Sequence, residues 1–242
     1  MNIIPYFTLG FPDDATLQTA VRSAAKNGIR MIELGFPSQD PKYDGPGIRK
    51  THAGNKASMD AFDPSILSIL REHGISYYAL LYYSEIHDSL DRKLSRLKEL
   101  GFSGIILPDL LIDFFGESRE VILHIQAQSL ELIPFFTQAT PDAVISDVSQ
   151  MTSSWIYYGL QPSTGIIVPL DLASVTQRVK ALLPGRDVVY GFGIRGTEDI
   201  KLLRSMGAYG AAVGSLFVKY LGSGDVESIS RILSEMEVAA SA

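Results

Sequence analysis

Eight short, β-rich apolar runs recur along the 242 residues, about one every 30. They are Ile3–Leu9, Arg30–Leu34, Tyr77–Tyr82, Gly104–Leu107, Leu130–Phe136, Trp155–Tyr158, Asp187–Tyr190 and Gly210–Val213. Several lack strict apolar–polar alternation, which fits parallel strands buried on both faces. Between them lie amphipathic stretches. Ala15–Lys26 places Leu17, Ala20, Val21 and Ala24 on one helical face, and Leu90–Leu100 does the same with Leu90, Leu94, Leu97 and Leu100. Asp199–Met206 reads as a further helix with Thr197 as its N-cap, and Lys26-Asn27-Gly28 and Met206-Gly207 read as helix stops. Thirty residues is the size of one βα unit, and eight such units close into a (β/α)8 TIM barrel of about 250 residues. A doubly wound open sheet is the alternative. Its dinucleotide-binding form needs a Gly fingerprint after the first strand, and Thr8-Leu9-Gly10-Phe11-Pro12 is not one. No linker or low-complexity tract divides the chain, so residues 1–242 read as a single barrel domain.

Composition narrows the functions. A net charge of −6 argues against a nucleic-acid or anionic-membrane binder, since both need a basic footprint. The absence of Cys excludes a thiolate metal site, a cysteine nucleophile and a disulfide scaffold. The four histidines show no paired spacing, so no metal site is expected. No apolar run reaches the roughly 18 residues of a membrane span, and no secretory pattern opens the chain. A soluble, cytoplasmic domain is expected.

A barrel of this kind carries its chemistry at the C-terminal strand ends. Glu33 lies at the end of the second run, in Met31-Ile32-Glu33-Leu34-Gly35. A desolvated carboxyl there has a raised pKa suited to proton transfer near neutral pH, unless a base such as Arg30 pairs with it. Asp44 follows eleven positions later on the next loop, before Gly45-Pro46, and reads as either a turn former or the second member of an acid–base pair. Gly191-Phe192-Gly193-Ile194 and Gly214-Ser215 follow the seventh and eighth runs, where barrels frequently build a phosphate site. Backbone N–H groups and the Ser215 hydroxyl would supply the donors, without needing Lys or Arg. Gln161-Pro162-Ser163-Thr164-Gly165 reads as a mobile loop, either a water-excluding lid or an ordinary connection.

These blocks occur in a recognisable order. Pro5-Tyr6-Phe7-Thr8-Leu9-Gly10, Glu33-Leu34-Gly35-Phe36-Pro37, Asp40-Pro41 with Asp44-Gly45-Pro46, Pro108-Asp109-Leu110, Thr164-Gly165, Gly191-Phe192-Gly193-Ile194 and Val213-Gly214-Ser215 resemble the tryptophan synthase alpha subunits over nearly the whole chain. The resemblance implies retro-aldol cleavage of indole-3-glycerol phosphate to indole and glyceraldehyde 3-phosphate. It implies Glu33 as general acid–base, Asp44 as the carboxylate on the indole N–H, and Gly193, Gly214 and Ser215 as the phosphate cradle. It places Tyr6, Ile48, Leu81, Ile106 and Phe192 in the indole pocket, and Thr164 and Gly165 on the lid. It implies no cofactor in this chain, with pyridoxal phosphate only in a beta partner that receives indole within an αββα complex. The chain departs from the family at Ser38–Tyr43, at Glu85 where Asn is usual, at Leu111 where Pro is usual, and in lacking the helix usual before strand one. Those loops lie near the expected beta interface. A stand-alone lyase releasing free indole and a non-catalytic activating subunit are therefore the alternatives.

Overall fold

Strands that are apolar on both faces need a packed layer on each side, and the chain provides both. The computed structural model describes residues 1–161 and 171–241. It contains nine strands among them: β1 (Asn2–Thr8), β2 (Met31–Gly35), β3 (Ser76–Leu80), β4 (Gly104–Ile106), β5 (Glu131–Ile133), β6 (Phe135–Thr137), β7 (Ile156–Gly159), β8 (Val188–Gly191) and β9 (Gly210–Val213). Every pairing between them is parallel. The order is β5-β4-β3-β2-β1-β9-β8-β7-β6, so β5 and β6 are the two ends of the sheet.

Those two ends are one chain segment. The run expected as a single strand over Leu130–Phe136 is broken at Pro134, which has no N–H for a ladder. The first half pairs with β4, the second with β7, and the Pro134 carbonyl accepts from the Tyr157 N–H at 2.9 Å. One strand in two pieces therefore closes the ring, and the eight expected runs become the eight staves of a (β/α)8 barrel.

Side chains divide by strand parity. Ile4, Tyr6, Tyr78, Leu80 and Ile106 belong to a cluster inside the barrel. Ile3, Phe7, Tyr77, Ala79 and Leu81 belong to the larger cluster between strands and helices. The helix Asp14–Lys26 buries Leu17, Ala20, Val21 and Ala24, as its periodicity predicts, and Asp13 caps it by accepting from Thr16 N. On the helix Leu90–Glu99, Leu94 and Leu97 are buried, while Lys93 and Arg96 pair with Asp60 and Glu99 at the surface. One cap differs from expectation. The helix Thr197–Ser205 starts at Thr197, with Gly196 at the N-cap and no side-chain capping bond. The Asp199 carboxylate instead accepts the Arg195 N–H at 2.8 Å, which ties the preceding loop to the helix. Among the described residues, no helix is long and apolar enough to cross a membrane.

Candidate active site

The C-terminal ends of β1, β2, β8 and β9 open onto a cavity of about 570 Å³. Tyr6, Glu33, Asp44, Ile48, Phe192, Gly193, Gly214 and Ser215 all line it, together with Leu80, Tyr157, Arg195 and Lys219.

Glu33 sits on β2, between Tyr6 on β1 and Tyr78 on β3 in register. It is 1% exposed, and its Oε1 has no hydrogen-bond partner among the described residues. Arg30 does not pair with it among the ion pairs found there. Burial, reinforced by the nearby Asp44 charge, pushes its carboxyl up to about 8. A buried, unpartnered acid costs stability, and one that lines a cavity is placed to exchange its proton with a ligand.

Asp44 is brought to the same cavity by its loop. Its N–H donates to Pro41 O at 3.0 Å and its carbonyl accepts from Arg49 Nε at 2.6 Å. Gly45 and Pro46 then start the helix Pro46–His52, with Pro at the position where its missing N–H is harmless. The Asp44 carboxylate accepts from Tyr82 Oη at 3.0 Å and lies 3.8 Å from His52 Nε2. Burial raises its pKa to about 6, and the Tyr82 bond and Arg49 pull in the other direction. At neutral pH Glu33 is thus mostly protonated and Asp44 mostly charged, two carboxyl groups separated in role by environment.

On the other side of β1, the wall is built from backbone. Past β8, Phe192 has φ 65° and Gly193 has φ 95°, the left-handed region that favours Gly. A Cβ at Gly193 would sit 2.6 Å from Gln161 Cγ. Gly214 precedes the helix Ser215–Gly222, whose first internal bond runs from Val218 N to Gly214 O at 3.0 Å. The N–H groups of Ser215, Leu216 and Phe217 consequently have no intrahelical acceptor, which makes this end an anion seat. Arg195 and Lys219 add positive charge to the same wall.

A family model described as tryptophan synthase alpha chain matches residues 1–241. The chain belongs to the tryptophan synthase alpha chain family. The alpha chain of Saccharolobus solfataricus is 31% identical over 233 residues, covering 96% of this chain and 94% of that protein. The alpha chain of Sulfurisphaera tokodaii is 30% identical, covering 93% and 92%. The solved Mycobacterium tuberculosis tryptophan synthase superposes with a TM-score of 0.86 at 21% identity, over 99% of this chain and 92% of that one. A mutant alpha-subunit from Pyrococcus furiosus gives 0.83 at 23%, over 98% of each. Cleavage of indole-3-glycerol phosphate, a lyase reaction, is the activity of the tryptophan synthase alpha chains, and of this chain as a member.

Two of the residues expected in the pocket lie elsewhere. Leu81 faces outward into the helix-side cluster, and its neighbour Leu80 lines the cavity. Both faces of that strand are apolar, so the sequence does not show which parity points inward. Ile106 lies inside the barrel, paired in register with Leu80, but is not itself among the residues that line the cavity. Thr164 and Gly165 lie outside the described residues. Tyr82 and His52, which surround Asp44, are not evident in the sequence, because tertiary contact alone brings them there. Lys219 is a further addition, and Arg195, which the sequence leaves either near this site or only at the start of the next helix, also lines a wall expected to work without basic side chains.

The Tyr82–Asp44 bond has a measurable consequence in this family's reaction. Tyr82→Phe removes the hydroxyl donor and leaves the Tyr43 N–H, bonded to Tyr82 Oη at 3.1 Å, without its partner. We expect kcat/KM to fall about three- to tenfold, the worth of one modest hydrogen bond. The acidic limb of its pH profile should move upward, because the Asp44 charge has lost a stabilising donor. An unchanged limb would show that Tyr82 does not support that charge.

Proposed function

We propose that Glu33 and Asp44 carry the cleavage of indole-3-glycerol phosphate in this chain, and that indole passes to a beta subunit. The observation that carries this reading is the unpartnered, protonated Glu33 near a charged Asp44 in a cavity that also holds a helix N-terminus.

The substrate has two recognisable ends. Its phosphate matches the N–H groups at Gly193, Gly214 and Ser215, with Arg195 and Lys219 adding charge. Its indole matches the apolar side chains Ile48, Leu80 and Phe192. Held this way, the bond to be broken lies between the two, and binding at the remote phosphate orients it.

Glu33 protonates the indole ring carbon that bears the side chain. Positive charge then develops on the ring nitrogen, where the Asp44 carboxylate accepts the N–H. The bond from that ring carbon to the side chain breaks, and its electron pair restores the aromatic ring. The adjacent hydroxyl becomes the aldehyde as its proton goes to the Glu33 carboxylate. One proton is given and one taken back, so Glu33 ends as it began, and the products are indole and glyceraldehyde 3-phosphate.

Pyridoxal phosphate belongs to the beta partner in this reading, and this chain needs no cofactor. A relative of known structure from Pyrococcus furiosus, 23% identical, is the tryptophan synthase a2b2 complex, which supports such a partner. The exposed Ile112 and Phe115, on the segment after β4, are candidates for that contact.

The test is indole release from indole-3-glycerol phosphate by the purified chain, with and without a cognate beta subunit. The expected result is slow release alone and strong stimulation by beta. Its kcat/KM should follow a bell with limbs near the Asp44 and Glu33 values, about 6 and about 8. Fast release unaffected by beta would favour a stand-alone lyase. No release in either condition would overturn the reading.

A further inference from the structure

The side chain of Tyr6 lines the cavity and reaches from Gly214 to Gly35. Its Cβ and Cδ1 lie 3.4 Å from where a Cβ on Gly214 would stand, so the root of the ring abuts the anion seat. Its hydroxyl lies over Gly35, where a Cβ would come within 2.1 Å. Gly35 ends β2, two residues beyond Glu33, so the hydroxyl is at the carboxylate end.

The hydrogen bonds around this hydroxyl fix its role. Thr8 Oγ1 donates to it at 3.1 Å. On another side His52 Nε2 stands at 3.4 Å. The Ser38 N–H donates to His52 Nδ1 at 2.8 Å. A backbone N–H only donates, so Nδ1 carries no proton and the neutral ring carries its proton on Nε2. Burial holds His52 down to about 4, which keeps the ring neutral. The Nε2–H therefore points at the Tyr6 oxygen, which accepts twice. Among the described residues nothing accepts the Tyr6 proton; Glu33 Oε1, on the adjoining strand, has no partner at all.

We propose that the Tyr6 O–H donates into the cavity, to a hydroxyl oxygen of the substrate's glycerol side chain, and makes Tyr6 a specificity-determining residue. This rests on the functional reading above. The choice of acceptor follows from position. The phosphate oxygens belong at the far end of the ring. Indole offers an N–H donor and no lone-pair acceptor in its plane. The side-chain hydroxyls are what remains at the carboxylate end. A pocket built to bond a hydroxyl discriminates against an analogue without one, because its own donor is then left unpaired.

The experiment compares two ligands by calorimetry in a background whose turnover is strongly slowed. Glu33→Gln and Glu33→Gln/Tyr6→Phe chains are titrated with indole-3-glycerol phosphate and with 3-(indol-3-yl)propyl phosphate, which lacks both side-chain hydroxyls. Melting curves establish that both variants are folded. Adding Tyr6→Phe should weaken binding of the hydroxylated ligand about tenfold and leave the deoxy ligand within twofold. Equal loss for both ligands would mean that Tyr6 only shapes the pocket, and no loss for either would mean that its hydroxyl does nothing there. Either result overturns the proposal. Binding of neither ligand to the Glu33→Gln chain would overturn the functional reading, and the proposal with it.

Discussion

Glu33→Gln should lower kcat for indole formation by about 10²–10⁴-fold, the usual worth of a general acid–base. Gln keeps the length and planarity of the side chain and removes only the transferable proton. The proton count at the site makes the loss large. The ring carbon must receive a proton before its bond to the side chain can break, and Glu33 is the protonated carboxyl in the cavity wall at neutral pH. Asp44 cannot replace it, because at that pH it is mostly charged and is held by Tyr82. KM should change by much less, since the helix end proposed to hold the phosphate and the apolar walls remain. Indole release is followed by chromatography at saturating substrate, with and without the beta subunit. A variant retaining more than about a tenth of the wild-type kcat would remove Glu33 from the proton transfer.

Glu33 was legible in the sequence because a carboxylate is conspicuous at the end of an apolar run. The barrel was legible for a related reason. Strands buried on both faces read as unbroken apolar runs, and their spacing counts βα units. The same property conceals phase. Leu80 and Leu81 are both buried, and only the closed sheet shows that Leu80 faces the cavity. The split at Pro134 was equally concealed, since a proline near a strand end is ordinary and its meaning depends on which neighbours each half pairs with. The surroundings of Asp44 were beyond reach for a third reason. Tyr82 is 38 residues away, on the segment after another strand, and no local pattern links them. Tyr6 was placed in the pocket wall by the family resemblance alone. Its donor role depends on the proton position on His52, and so on the Ser38 N–H, a contact that exists only in the folded loop.

The same Glu33→Gln variant should be more stable than the wild type, by an amount that grows with pH. Unfolded, Glu33 titrates near its ordinary value of 4.5, and burial in the fold raises this to about 8. Below pH 4.5 the carboxyl is protonated in both states and carries no charge penalty. Between the two values the unfolded chain releases a proton that the folded chain keeps, so wild-type stability falls as pH rises. Above about 8 both states are ionised and the loss is complete. The loss grows at roughly 1.4 kcal/mol per pH unit across that window, which amounts to several kcal/mol. Gln does not titrate and escapes it. Melting temperatures should therefore nearly coincide at pH 4.5 and separate progressively toward pH 8.5. For a chain of this size each kcal/mol moves Tm by roughly 2–4 °C. A gap independent of pH would show that Glu33 is not held protonated by the fold, and would remove the physical basis for its role as the acid. If the gap opens as expected, the residue proposed to give the reaction its proton is also one the barrel folds more stably without. The cavity then holds this carboxyl at a cost to stability, in the protonation state that the cleavage requires.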